Sequence, residues 1–114
     1  MARRAKDDAA LLLDILGAAE AARRFVQGLD REAFMASERD QFAITRAVGI
    51  VGEAAWRLSP EFRATRPDVA WPAIIGMRHR IVHAYDDIDL EVVWQVATVA
   101  LPELLLRLRT PPPS

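Results

Sequence analysis

The 114-residue chain has no cysteine, one lysine (Lys6), one tyrosine (Tyr85) and two histidines. Each shortage removes a class of chemistry. Without cysteine there is no disulfide, no thiolate nucleophile and no zinc-finger arrangement. The absence also fits a reducing compartment. No apolar run approaches the roughly 20 residues of a membrane-spanning helix. The segment Met1 to Asp8 is basic but runs into acids and then an amphipathic stretch. It lacks a cleavage site after a uniform apolar run, so it does not read as a secretory signal. A soluble, cytoplasmic protein is expected. Charge of one sign is not in excess either. The formal net charge is -1, which provides no global field for a bulk polyanion, although local patches remain open. The basic residues are nearly all arginine, which suits bidentate phosphate and carboxylate contacts. A GC-rich genome accounts for the same bias, so the excess decides little.

Apolar residues make up 52% of the chain, which excludes a disordered chain and is enough for one domain with its own core. We place that domain at residues 1–109 and read 110–114, Thr-Pro-Pro-Pro-Ser, as a disordered tail. The periodicity is helical throughout. Leu12, Ile15, Ala19, Ala22 and Val26 recur at helical spacing between Asp7 and about Leu29. Arg23 and Arg24 fall near the end of that helix, where cations favour its dipole. Asp30 caps a short helix over Arg31 to Ala36. Ser37 with Asp40 marks the next helix start. Ile44, Val48, Val51, Ala55 and Leu58 form a second stripe from Glu38 to Leu58. Ser59-Pro60 starts a single turn through Phe62, and Arg63 to Ala70 reads as a loop. Trp71-Pro72 opens a third long helix whose buried face is Ile74, Met77, Ile81 and Ala84. Asp89 caps a last helix, Leu90 to Leu108, which Pro102 should kink. Nothing reads as a strand. The expected fold is all-α, an antiparallel four- to five-helix bundle.

Both histidines and the tyrosine sit in one window, Arg78-His79-Arg80-Ile81-Val82-His83-Ala84-Tyr85. It is the obvious place for proton transfer near neutral pH. On a continuous helix Gly76, His79, Arg80 and His83 share one face, opposite Met77, Ile81 and Ala84. Arg78, Val82 and Tyr85 border it. Arg78 and His83 would stand about 140° apart around that helix. Either the helix unwinds near His83, or the site is shared with another subunit. The shared site is the favoured reading, with Gly76 letting another backbone approach. A histidine beside arginines moves a proton while guanidinium stabilises charge growing on phosphate. Those are the needs of metal-free RNA cleavage, in which the ribose 2′-OH is the nucleophile. A solvated polar face with exposed imidazoles explains the same spacing.

His79 and His83 also stand at the i, i+4 spacing of a metal pair, but a third ligand is not evident. Asp86 or Asp87 would serve only with a turn in the right place. The glutamate that follows the first histidine in zincins is missing. Tyr85 is open to three roles: a packed aromatic, a phosphate-contacting hydroxyl or a modification site. The acids from Asp86 to Glu91 put negative charge beside the window. Asp89 reads as a cap; for Asp86 and Asp87 no role is preferred.

Four segments in order resemble the HEPN superfamily and its HepT-like toxin branch. Ile50-Val51-Gly52-Glu53-Ala54-Ala55 is similar to the family's Gly-Glu-Ala segment. Trp71 to Arg78 resembles its tryptophan-to-arginine approach. His83-Ala84-Tyr85 completes an Arg-x4-His-x-Tyr motif. Val93-Trp94 and Leu101-Pro102-Glu103-Leu104 resemble its last helix. The resemblance implies a bundle that dimerises through the motif helices, with a composite site between two copies. It implies a metal-independent endoribonuclease toxin of a type II-like or type VII toxin–antitoxin pair, with no cofactor. Arg78 is then the phosphate stabiliser and His83 the acid–base residue. His79, Arg80 and Tyr85 support the site or bind RNA. The implied antitoxin is a small nucleotidyltransferase of the MNT type that transfers AMP to Tyr85. Added phosphate charge there would repel RNA. Many relatives carry asparagine where this chain has His79. Glu53 reads as a carboxylate pairing an arginine to fix the motif helix, with Gly52 and Gly76 as structural support. The competing readings are a non-catalytic partner of a nucleotidyltransferase and a metal-binding bundle built on His79 and His83.

Overall fold

Five helix starts in this chain use one device. Asp7, Asp30, Ser37, Ser59 and Asp89 each lie in extended backbone just before a helix. Each accepts a hydrogen bond from the amide three residues on. That bond satisfies one of the donors a helix start leaves open. The computed structural model describes residues 7–84 and 87–112, the side chains of 82–84 and 87 excepted. Its elements are α1 (Asp8–Val26), α2 (Arg31–Met35), α3 (Glu38–Arg57), α4 (Pro60–Ala64) and α5 (Trp71–Ile81), followed by β1 (Val82–Ala84) and β2 (Asp87–Ile88). The chain ends in α6 (Leu90–Gln95), a π-helical segment (Val96–Ala100) and α7 (Leu101–Arg109). The fold is all-α, with one small ribbon. Among the described residues no helix is long and apolar enough to cross a membrane.

The main packing is α1 against α3, with α5 and the last helix laid against the pair. Ile15, Ala19 and Ala22 of α1 meet Ile44, Val48, Val51 and Ala55 of α3 in one fully enclosed cluster. Leu11 takes the buried place expected for Leu12, which is half-buried. Trp71, Ile74, Met77 and Ile81 are the buried side of α5. Phe34 of α2 stacks on Trp94 of α6 at 5.2 Å between ring centres.

One expectation is corrected here. The third long helix stops at Ile81, so Ala84 is not part of its buried face, and a two-stranded ribbon follows. Val82 pairs with Ile88, and Ala84 with Asp87, in antiparallel register. The physical reason lies at the Ile81 carbonyl. A continuing helix would offer it to the amide four residues on; here the Asp89 amide takes it, at 2.8 Å. Asp89 also caps α6, so one residue closes α5 and opens α6. At Pro102 the expected irregularity takes a particular form. The irregularity is a π-helical segment just before the proline. The Leu101 amide reaches back five residues to the Val96 carbonyl. The extra residue lets the helix pass a position that has no amide to donate.

The loop after α4 hides a buried arginine. Arg66 is 7% exposed. Its guanidinium pairs with both Asp68 oxygens, at 3.1 and 2.9 Å, and donates to the carbonyls of Arg107 and Thr110. Those carbonyls belong to the end of α7, where a cation is favoured. The Arg66 carbonyl in turn accepts from the Trp71 indole at 3.1 Å. One residue thus ties the α4–α5 loop to the C-terminus of the last helix. Arg66→Ala removes all of these donors at once and should lower the Tm by about 5 °C or more; thermal unfolding followed by circular dichroism reads this.

The same clamp carries a pH dependence. The Arg66 guanidinium beside Asp68 holds its carboxyl below the ordinary value of 3.8. Hydrogen bonds from the Ser59 hydroxyl and amide do the same for Asp8. A carboxyl with a depressed folded-state pKa stabilises the fold fully above its ordinary value, and that stability is lost as pH falls through the depressed one. Asp68→Asn should therefore flatten the acid limb of stability below about pH 4 and leave the neutral-to-alkaline slope as it is. Urea titrations across pH 2–7 test this; an unchanged acid limb counts against it.

Candidate active site

The site is built where α3 crosses α5. Gly52 is buried on α3, and a Cβ placed there would lie 2.8 Å from Arg78 Cγ and 3.3 Å from Arg78 Cδ. The missing side chain is what lets the aliphatic stem of Arg78 lie against α3. The next residue receives its head: Arg78 Nη1 is 3.1 Å from Glu53 Oε1, both side chains being nearly half exposed. Glycine and glutamate thus act on two parts of one side chain. The stem is seated by packing and the guanidinium is aimed by charge. The pair is open enough for a phosphate oxygen to reach the remaining guanidinium donors.

Beside this contact a cleft of about 370 Å³ opens between the two helices, lined by Thr45, Val48 and Gly49 of α3 and Met77, Arg78, His79 and Ile81 of α5. His79 and Arg80 are exposed on the last turn of α5. Neither makes an ion pair with another described residue. Arg80 also lines a second, shallower cleft of about 320 Å³ against Val92, Val96 and Val99. His79 therefore belongs to the Arg78 cleft, while Arg80 faces the last helix. Gly76 meets nothing within 4 Å of where its Cβ would be. In the described residues it supports no close contact of the kind seen at Gly52.

His83 lies in β1, two residues past the end of α5. The helical face joining Gly76, His79, Arg80 and His83 therefore does not form. Of the two ways around the 140° separation, the helix does unwind before His83. Its side chain is outside the described residues, and so are Tyr85 and Asp86. Among the described residues no cluster of three metal-binding side chains occurs.

Sequence reasoning missed Thr45 and Gly49, the α3 wall of the cleft. The signal was present as small and polar residues one turn apart, Thr45, Gly49 and Gly52/Glu53, on a helix otherwise filled by its core stripe. The same outward side of α3 carries Phe42 and Trp56, which are 67% and 58% exposed. Trp56 stands about one turn beyond Gly52, and Phe42 nearly three turns before it.

Residues 15–110 match the family described as "HepT-like: Ribonuclease HepT-like". The chain belongs to that family. Among its relatives is the "Probable ribonuclease HepT" of Thermococcus cleftensis, 33% identical over 93 residues, which span 82% of this chain and 84% of that protein. Another is the "Putative RNase MJ1380" of Methanocaldococcus jannaschii, 30% identical over 99 residues, covering 87% and 91%. No solved structure matches. Arg78, Gly52 and Glu53 all fall inside the matched span of this HepT-like chain.

The Gly52–Arg78 contact makes a sharp physical prediction. Glycine to alanine in a helix is ordinarily stabilising by up to about 1 kcal/mol. Here the added methyl collides with the arginine stem, so Gly52→Ala should destabilise by about 1–3 kcal/mol. In an Arg78→Ala background the collision is gone, and Gly52→Ala should instead become neutral or stabilising. A double-mutant cycle by chemical denaturation measures the coupling; additive changes would refute the packing argument.

Proposed function

We propose that this chain is a metal-independent endoribonuclease toxin. The carrying observation is the half-exposed Arg78 guanidinium, seated by Gly52 and aimed by Glu53, in a chain of the HepT-like ribonuclease family. Arg78 holds the scissile phosphate and stabilises the charge that grows on it. His83 acts as the acid–base residue: one imidazole takes the proton of the attacking 2′-OH, or returns one to the leaving 5′-oxygen. The phosphodiester bond breaks as the 2′-oxygen bonds to phosphorus, so no protein nucleophile is needed. His79 stands on the same side of the cleft as Arg78, where a second imidazole shares proton transfer or binds phosphate. Arg80 serves the RNA backbone outside the cleft.

The site is proposed to be composite, with two copies of the chain meeting across the motif helices. Release of His83 from the helix allows it to serve its own Arg78 or that of the second copy. The resemblance favours the second. Trp56, exposed about one turn beyond Gly52 on α3, and Phe42 further along the same helix supply apolar area for such a meeting. The partner that silences the toxin is proposed to be a nucleotidyltransferase of the MNT type, which joins AMP to the Tyr85 hydroxyl. A phosphate two residues from His83 would repel the RNA backbone and fill its place.

Two measurements test this. His83→Ala should lower RNA cleavage by about 10²–10⁴-fold and relieve growth inhibition while the far-UV spectrum and Tm stay the same. A well-folded His83→Ala protein that remains toxic would sink the assignment. Intact mass after co-expression with the neighbouring gene should rise by one or more AMP units, and the rise should vanish in Tyr85→Phe. An unchanged mass in an inactive complex would point to inhibition by binding alone. A wild-type chain that binds the nucleotidyltransferase but never cleaves RNA would be a non-catalytic partner.

A further inference from the structure

The α3–α5 cleft holds a polar group that the proposed chemistry leaves unused. The Thr45 hydroxyl is buried and has no hydrogen-bond partner among the described residues. A helical threonine commonly returns its hydroxyl to the carbonyl one turn back. Thr98 does so here, donating to the Trp94 carbonyl at 2.7 Å. Thr45 makes no such bond and lines the cleft instead. Leaving a buried hydroxyl unpaired costs stability, and valine of the same shape would avoid that cost.

The cleft around it has the make-up of a small-ligand site. Its volume of about 370 Å³ lies within the roughly 300–1,000 Å³ typical of such sites. Val48, Met77 and Ile81 give apolar walls, and Gly49 leaves one wall without a side chain. Polar groups occur at few points: Thr45 inside, and Arg78 and His79, both exposed, towards solvent. A flat heterocycle with hydrogen-bonding edges, joined to a phosphate, matches that division. Unstacked bases of single-stranded RNA are held in this way, by apolar contact to the ring and hydrogen bonds to its edge.

We infer that the cleft is a nucleobase subsite, taking the base next to the scissile phosphate with Thr45 Oγ1 bonded to its edge. This deepens the ribonuclease reading and rests on it for the identity of the polymer. A hydroxyl both donates and accepts, so Thr45 completes a base edge of either polarity. Thr45 is then a specificity residue, and Gly49 sets the width of the slot.

The test reads binding and catalysis separately. The Thr45 methyl resonance of the full chain is followed during titration with AMP, GMP, CMP and UMP, with ribose 5-phosphate as the control lacking a base. Mononucleotides should shift it to different extents and ribose 5-phosphate should not. On a short single-stranded RNA, Thr45→Val should raise KM about three- to tenfold, with kcat held within about twofold. Its Tm should be unchanged or higher, because an orphan hydroxyl has been removed. Thr45→Ser should restore KM. Gly49→Ala, which meets nothing within 4 Å and favours the helix, should weaken mononucleotide binding without loss of Tm. The inference is overturned if ribose 5-phosphate moves the Thr45 methyl as far as the mononucleotides do, or if Thr45→Val leaves KM unchanged. A protein that cleaves RNA without base-dependent shifts would retire the subsite alone. A protein with base-dependent shifts and no cleavage would retire the ribonuclease reading alone.

Discussion

The close approach of Arg78 to Gly52 is the constraint on which the site depends. An arginine laid against a neighbouring helix needs a place where that helix has no side chain. The buried Gly52 supplies it, with the hypothetical Cβ only 2.8 Å from the arginine stem. Glu53 can then reach the guanidinium because consecutive helical residues point about 100° apart. One faces the stem inside and the other the head at the surface. Seating a cation this way limits its rotamers before any ligand arrives, which lowers the ordering cost of binding. The rest of the bundle keeps α3 and α5 in register. The α1–α3 pair fixes α3 from behind, and the Arg66 clamp ties the loop before α5 to the end of α7.

The fold was legible in the sequence wherever apolar periodicity or a cap determined it. Ile44, Val48, Val51, Ala55 and Leu58 are the buried stripe of α3, and Asp30, Ser37 and Asp89 cap as their spacing suggests. What was not legible is long-range. The end of α5 at Ile81 depends on an amide eight residues further on, and no local propensity encodes that partner. The burial of Arg66 depends on carbonyls more than 40 residues away. A lone arginine next to Pro67 and Asp68 reads as loop until those carbonyls are in place. The π-helical segment belongs in part to local reading: Pro102 announced a defect, but not that it would take the form of a π-helical turn.

The site was legible in its residue types more than in its geometry. An arginine and a histidine five apart could not meet on one continuous helix, and the helix ends at Ile81, before His83. Thr45 could not be found from the motif window because it lies more than 30 residues earlier, on the opposite wall of the cleft. It became visible only as a buried hydroxyl that fails to bond where Thr98, in the same fold, succeeds.

The ribbon after α5 has a consequence for how such a site is switched. Were residues 78 to 85 one helix, a change at position 85 would be transmitted along a rigid rod to Arg78, and the seat at Gly52 would be strained. With α5 closed at Ile81 by the Asp89 amide, the backbone of the segment carrying His83 pairs with residues 87 and 88. Strand pairs of this length are weak on their own. Arg78 therefore sits on a packed helix, and the His83 backbone in a two-stranded ribbon. On the proposed reading, AMP joined to Tyr85 would act on the second without unseating the first. Among the described residues the lining of the Arg78 cleft carries no carboxylate, and Asp89 and Glu91 belong to the start of α6.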